Sequence, residues 1–189
     1  MEYPNWFKPH SKNFEYGLSR YRHMPNLNFL QIGAYTGDAS EWLLENILTD
    51  PTSTLTDVDT WKGSEEPIHK EFDWSNVESF YDKRMSKFSN IKKHKGTSIS
   101  YLQSCTEKFD FIYIDGDHTA EAVYQDAVHS LPLLKRDGVL AFDDYQWKHD
   151  TENIELEPKL GIDKFLEENK GSVEIIINNY QFWIRSIKK

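Results

Sequence analysis

Short apolar runs alternate along the chain with stretches in which apolar side chains recur every three or four positions. That alternation predicts strand–helix–strand units and a mainly parallel sheet. Leu27 to Ile32 reads as the first buried strand, followed by Gly33-Ala34-Tyr35-Thr36-Gly37. A helix comes next, with Ala39, Trp42, Leu43, Ile47 and Leu48 on one face and Asp50-Pro51 expected to end it. Thr54 to Val58 reads as a second strand, closed by Asp59. Asn76 to Phe88 is predicted helical, and Ile91 to His94 is a weak strand leading into Gly96-Thr97-Ser98 and a short helix. Phe109 to Ile114 is the clearest strand and ends at Asp115-Gly116-Asp117-His118. The long helix after it is striped by Ala120, Val123, Ala127, Leu131 and Leu134, with Gly138 expected to close it in a left-handed cap. Val139 to Phe142 reads as another buried strand, ending at Asp143-Asp144. Beyond a helix near Ile162 to Glu168, Val173 to Ile177 and Gln181 to Ile187 read as a hairpin. Its turn falls at Asn178-Asn179-Tyr180, since asparagines tolerate the positive φ of a tight turn. The last strand is then antiparallel to its predecessor.

At 189 residues the chain fits one domain with a sizeable core. Its 31 acidic and 22 basic residues give a net charge of −9, which repels phosphate backbones, so no nucleic-acid partner is expected. Lys92-Lys93-His94-Lys95 is a short basic run that reads as a solvated strand end. Cys105 is the only cysteine, so neither an internal disulfide nor a multi-cysteine zinc site can form. No stretch approaches the roughly 20 apolar residues of a membrane span, and the start of the chain lacks the pattern of a signal peptide. A cytoplasmic location without membrane contact is the expectation. The first 25 or so residues, with Tyr3, Trp6, Phe7, Phe14 and Tyr16, read either as a lid or as the arm of a homodimer.

In an open parallel sheet, ligands bind beyond the carboxyl ends of the strands. Gly33 and Gly37 flank the first strand-to-helix turn, and Asp59 stands about 20 residues further on, the offset of a carboxylate that accepts ribose hydroxyls. A pyrophosphate site wants glycines at three spaced positions. Tyr35 holds the middle one here, and Asp38, Ala39 and Ser40 follow with no third glycine. A dinucleotide such as NAD therefore fits worse than a ligand with a ribose and no phosphates. An NAD-dependent oxidoreductase and a non-catalytic nucleoside-cofactor module remain the rival readings.

Leu30-Gln31-Ile32-Gly33-Ala34-Tyr35-Thr36-Gly37 resembles the first motif of class I S-adenosylmethionine-dependent O-methyltransferases, close to the catechol-type branch. Phe111 to His118 and Leu134 to Tyr145 resemble a family of small bacterial and phage-type methyltransferases. The resemblance runs from about Asn28 to the C-terminus. It implies a Rossmann-like three-layer α/β/α sandwich, with a mostly parallel seven-stranded sheet and an antiparallel C-terminal strand. It also implies S-adenosylmethionine as cofactor and methylation of a small molecule or sugar hydroxyl. Gly33, Ala34, Tyr35, Gly37 and Ser40 belong to the matched loop and the helix it opens, with the two glycines lining the methionine part. Asp59 would hold the ribose, Thr97 and Ser98 would lie near adenine, and Asp115 would face cofactor and acceptor. Trp61, just after Asp59, is the aromatic best placed to stack on the cofactor, while Trp74 and Trp147 are candidate pocket walls. Two departures stand out. Gln31 replaces a glutamate that contacts the cofactor loop, and Asp137 replaces the first glycine of a Pro-Gly-Gly turn.

Acidic residues at the positions of Asp115, Asp143 and Asp144 bind magnesium in metal-dependent relatives of this kind, and neighbouring carboxylates call for a positive partner. Either Mg2+ sits among them or Asp143-Asp144 solvates a loop and caps a turn. The sequence leaves both open. Asp117 and His118 are the candidate catalytic pair, with His118 either accepting a proton from the acceptor or fixing the start of a helix. His10, His23, His69, His94, His129 and His149 show no ligand spacing and read as surface or core residues.

Overall fold

Strands that are apolar on both faces need helices on both sides, and the computed structural model has that arrangement. It describes residues 3–64, 67–148, 153 and 157–187. The strands are β1 (Asn28–Ile32), β2 (Thr54–Asp59), β3 (Ile91–Lys95), β4 (Phe109–Ile114), β5 (Leu134–Phe142), β6 (Val173–Asn178) and β7 (Phe182–Ser186). The helices are α1 (Ser11–Gly17), α2 (Asp38–Asn46), α3 (Trp74–Met85), α4 (Ser98–Ser104), α5 (Ala120–Ser130) and α6 (Pro158–Glu168). The sheet order is β3-β2-β1-β4-β5-β7-β6. Strands β1 to β5 are parallel, and β7 inserts antiparallel to both β5 and β6. The expected seven-stranded, three-layer Rossmann-like fold is therefore the one observed.

Side chains alternate across the sheet and feed two cores. Phe29 of β1, Leu55 of β2, Phe111 and Tyr113 of β4, and Trp183 of β7 pack against α1, α2 and α3. Leu30, Ile32, Ile112, Ile114, Leu140 and Phe142 point the other way, onto α4, α5 and α6. The chain runs outward from β1 through β2 to β3, then returns to place β4 on β1's other side. That reversal opens a crevice past the carboxyl ends of β1 and β4, the ligand position of open α/β sheets.

Four local expectations are corrected. Helix α5 ends at Ser130, a 3-10 turn covers Leu131–Leu133, and Leu134 already belongs to β5. The left-handed residue is Asp137 (φ 61°), not Gly138. Gly138 lies inside β5, where a Cβ would come within 2.9 Å of the Lys135 carbonyl, beside the register shift between β4 and β5. Asp137 thus holds a left-handed conformation, and the Arg20 guanidinium donates to its carbonyl. The C-terminal hairpin forms as expected, but neither Asn178 nor Asn179 has a positive φ. Instead Asn179 Oδ1 accepts the Gln181 amide (2.9 Å), and backbone bonding across the same two residues closes the turn. Helix α2 stops at Asn46, before the Asp50-Pro51 pair.

Candidate functional site

A cavity of about 340 Å³ opens over the ends of β1, β2 and β4, a size within the small-molecule range. Gly33, Ala34, Tyr35, Asp59, Thr97, Ser98, Asp115, Asp117 and His118 line it, as expected of cofactor and catalytic candidates. Gly37, Ser40 and Trp61 do not. Gly37 (φ 82°) starts α2, and a Cβ there would press on Met85 and Tyr81, so its smallness serves packing. Ser40 is fully buried behind the loop. Trp61 is also buried, turned onto Tyr81, and its indole N–H donates to the Tyr35 carbonyl (3.0 Å). It braces the loop from behind, which corrects the stacking role expected of it.

Asp59 organises the loop. Its Oδ2 accepts the Ala34 and Tyr35 amides at 2.8 and 2.9 Å, and its Oδ1 accepts the Trp61 amide at 2.6 Å. These bonds, with the Trp61 indole, hold Tyr35 at φ 49°, a left-handed conformation that a bulky residue adopts only when its surroundings enforce it. Gly33 is required for another reason: a Cβ there would overlap the Asp115 carbonyl oxygen, so β1 and β4 could not approach. Gln31 donates from Nε2 to the Gly33 carbonyl (2.8 Å), a loop contact made by a neutral group and one that an ionised glutamate, an acceptor only, could not make.

Several lining residues were not assigned to the site from the sequence. Trp6 and Phe7 reach the cavity from the start of the chain, and Trp6 stacks on Tyr35 with ring centres 4.6 Å apart. Asn5 donates to Asp38 Oδ1 (2.8 Å), fastening this segment to the start of α2. His69, read as surface or core, lines the wall beside Trp74, whose indole N–H donates to the His69 carbonyl (2.9 Å). The aromatic content of the first residues was the available clue, but only the fold shows what they cover. His149 lies outside the described residues.

At the neighbouring strand ends, carboxylates crowd. His118 Nε2 lies 3.0 Å from Asp144 Oδ2 and 3.9 Å from Asp115 Oδ1. One ligand atom from each of these three residues lies within 4.8 Å of the others, a spacing a metal ion fits. Asp143 is not brought into that group. Its Oδ2 accepts the Tyr113 hydroxyl (2.5 Å), and its Oδ1 accepts the Gln181 amide (3.1 Å) and the Asp144 N–H (2.9 Å). The expected Asp115, Asp143 and Asp144 trio is thus replaced by Asp115, His118 and Asp144, because Tyr113 and β7 hold Asp143 aside.

Burial and the Asp143 charge push the Asp115 carboxyl well above its ordinary range, with His118 opposing. Burial and Asp144 likewise raise Asp143. For Asp144, burial pushes upward, but bonds from His118 and Tyr180 leave it below the ordinary value. Asp144 itself sits at φ 55°, held by the Tyr180 hydroxyl on Oδ1 (2.7 Å). Asp117 Oδ1 accepts the Thr119 amide (2.9 Å) and shapes the entry to α5. Trp147 packs on His118, with ring centres 5.3 Å apart.

Residues 30–145, well over half of the chain, match the family model described as a methyltransferase domain. No curated protein matches the sequence. Among solved structures, the fold is similar to an O-methyltransferase from Bacillus cereus determined with SAH (TM-score 0.61, 18% identity, covering 96% of this chain and 89% of that one). It is similar to the N-methyltransferase NodS from Bradyrhizobium japonicum WM9 (TM-score 0.57, 16% identity, covering 95% and 98%). It also resembles the MycE methyltransferase of the mycinamycin biosynthetic pathway, solved with Mg and SAH (TM-score 0.65, 16% identity, covering 98% of this chain and 51% of that one). At such identities the structural likeness carries the fold, while the family match decides against the dinucleotide alternative. The chain belongs to the methyltransferase-domain family and is a class I, S-adenosylmethionine-dependent methyltransferase.

Proposed function

We propose that the protein transfers the methyl group of S-adenosylmethionine to a hydroxyl of a small molecule or sugar, with Mg2+ held by Asp115, His118 and Asp144. The observation that carries this reading is the convergence of those three side chains, two of which line the cavity. The cavity suits the cofactor. Each oxygen of a carboxylate has room for two hydrogen bonds. Asp59 Oδ1 accepts only one among the described residues, which leaves it capacity for a ribose hydroxyl. Thr97, which caps α4, and Ser98 line the cavity and on this reading would face adenine, with Gly33 and Asp115 facing the methionine end.

The donor set is mixed: two carboxylate oxygens of the kind Mg2+ takes and one imidazole nitrogen, which borderline cations take more readily, while burial and the Asp143 charge raise the proton affinity of the Asp115 carboxyl. When bound, such an ion lowers the pKa of a coordinated hydroxyl and orients it. The residues supply the rest. His118 Nε2, at hydrogen-bond distance from Asp144, carries a proton whenever that bond is made, so a cation and a proton compete for this atom. Trp6 and Phe7 cover the cavity as a lid and exclude water. A small acceptor, rather than nucleic acid, suits the formal charge of −9. No described helix is long and apolar enough to cross a membrane.

The test is methyl transfer to a panel of hydroxyl, amine and catechol acceptors, with Mg2+ or with a strong chelator. Transfer to a hydroxyl that stops in chelator is the expected result. Full activity in chelator removes the metal and leaves His118 as proton acceptor, while transfer to amines alone overturns O-methylation.

A further inference from the structure

Beneath the cofactor loop lies a fully buried carboxylate with no role in the reading above. Asp57, in the middle of β2, is wholly enclosed. Its Oδ2 lies 2.8 Å from the Tyr81 hydroxyl and 2.5 Å from the Ser40 hydroxyl, and its Oδ1 has no hydrogen-bond partner. Ser40 Oγ is also 3.4 Å from Gln31 Oε1, and Gln31 Nε2 holds the Gly33 carbonyl at the cavity wall. The four groups form one line from the core to the loop.

Counting hydrogens sets the direction of that line. Ser40 has one hydroxyl hydrogen and two neighbours that want it. If Asp57 is ionised, Ser40 turns to it, and the buried Gln31 oxygen loses its donor. If Asp57 carries the proton, it donates to Ser40, Ser40 donates to Gln31, and Gln31 donates to Gly33. Every donor in the line then has an acceptor, and the unpartnered Oδ1 is a neutral carbonyl rather than a buried charge.

Among the described residues, no cation compensates a charge on Asp57. Lys93, its registered neighbour on β3, is committed to Glu78 and Asp82, each at 2.7 Å. Arg84 of α3 is committed to Asp38 and Glu41 of α2. Asp59, on the same strand, adds repulsion, and Tyr81 is the one titratable donor in contact. Burial, the largest influence, raises the Asp57 carboxyl to about 7, with Ser40 and Tyr81 pulling it down.

We propose that Asp57 is a protonated positioning residue, which through Ser40 and Gln31 fixes the Gly33 carbonyl and so makes cofactor affinity fall when it ionises. This rests on the cavity being the cofactor site. The experiment measures SAH affinity from pH 6 to 8.5 for the wild type, Asp57→Asn and Ser40→Ala, together with the infrared carbonyl band of the ligand-free proteins. The amide of Asp57→Asn donates to Ser40 as the protonated acid does and cannot ionise, so it keeps the direction of the line at every pH, although its contact with Tyr81 is reversed. Wild-type Kd should rise about tenfold, the equivalent of one buried hydrogen bond. Asp57→Asn should flatten that rise, and Ser40→Ala should bind weakly throughout. In the difference spectrum of wild type minus Asp57→Asn, a protonated-carboxyl band should be present at pH 6 and vanish at high pH. The absence of that band, or an equal rise of Kd in Asp57→Asn, overturns the proposal. A band that behaves as expected in a protein that binds no SAH keeps the proton on Asp57, refutes its effect on affinity and locates the error in the cofactor site.

Discussion

Asp59, at the end of β2, accepts three backbone amides, whereas Asp115, just past β4, has one histidine at 3.9 Å and two further carboxylates for neighbours. Both line the same cavity. Around Asp59 the negative charge is used internally: it folds the loop and holds Tyr35 in a strained conformation. Around Asp115 the chain crowds carboxyl groups together, and burial with their mutual repulsion raises Asp115 and Asp143. The cofactor side is therefore organised before any ligand arrives, and the β4–β5 side keeps its acidic groups close with one histidine among them. The first arrangement builds a shape, and the second stores an electrostatic demand.

The largest effect that tests this contrast is expected at Asp59. Asp59→Ala strips three amides of a charged acceptor, which costs on the order of 3 kcal/mol in the ligand-free protein. It should also erase the melting-temperature rise given by SAH. A variant that melts like the wild type and still responds to SAH would show that the loop is held by something else. Next comes Asp144→Asn, which leaves SAH binding in place but removes the stimulation by Mg2+, on the order of 10- to 100-fold in rate. An undiminished response to Mg2+ would place the ion elsewhere.

Asp115→Asn should move stability in the opposite direction from Asp59→Ala. A carboxyl whose folded pKa lies above its unfolded value binds a proton on folding. Its contribution is fully present at low pH and is lost as pH rises from the unfolded toward the folded value. The asparagine variant escapes that loss, so without metal it should melt roughly 2–4 °C above the wild type near neutral pH, for a gain near 1 kcal/mol. At pH 3 the difference should close. Destabilisation at neutral pH would mean that the charge is already compensated. The smallest effect belongs to Tyr35→Gly. Glycine relieves the left-handed strain but forfeits the stacking with Trp6, and the two nearly cancel, leaving a stability change below about 1 kcal/mol in denaturant titration.

The legible part of the site was its backbone logic. Gly33 and Asp59 were readable because a strand end, a turn and an acid at the end of the next strand recur at fixed offsets in parallel sheets. Trp61 was misread because proximity in sequence to Asp59 says nothing of which way a side chain turns at φ 47°. Asp57 went unnoticed, although an acid inside an otherwise buried strand was a signal: two residues before Asp59, it faces the same side of β2. Asp143 and Asp144 are adjacent and chemically identical, yet their surroundings separate them. Tyr113 on β4 and Gln181 before β7 claim the first, and His118 and Tyr180 claim the second.

By itself the sequence determined the order of the elements, the parallel sheet with its antiparallel end, and the strand ends where the chemistry lies. These follow from the periodicity of apolar residues and from turn residues, both local properties of the chain. Only the tertiary structure decided which acids face the cavity, that His118 rather than Asp143 joins Asp115 and Asp144, and that Trp6 stacks on Tyr35, 29 residues further along the chain. Those outcomes depend on contacts between residues far apart in sequence, whose partners are set by packing and by competition for hydrogen-bond donors.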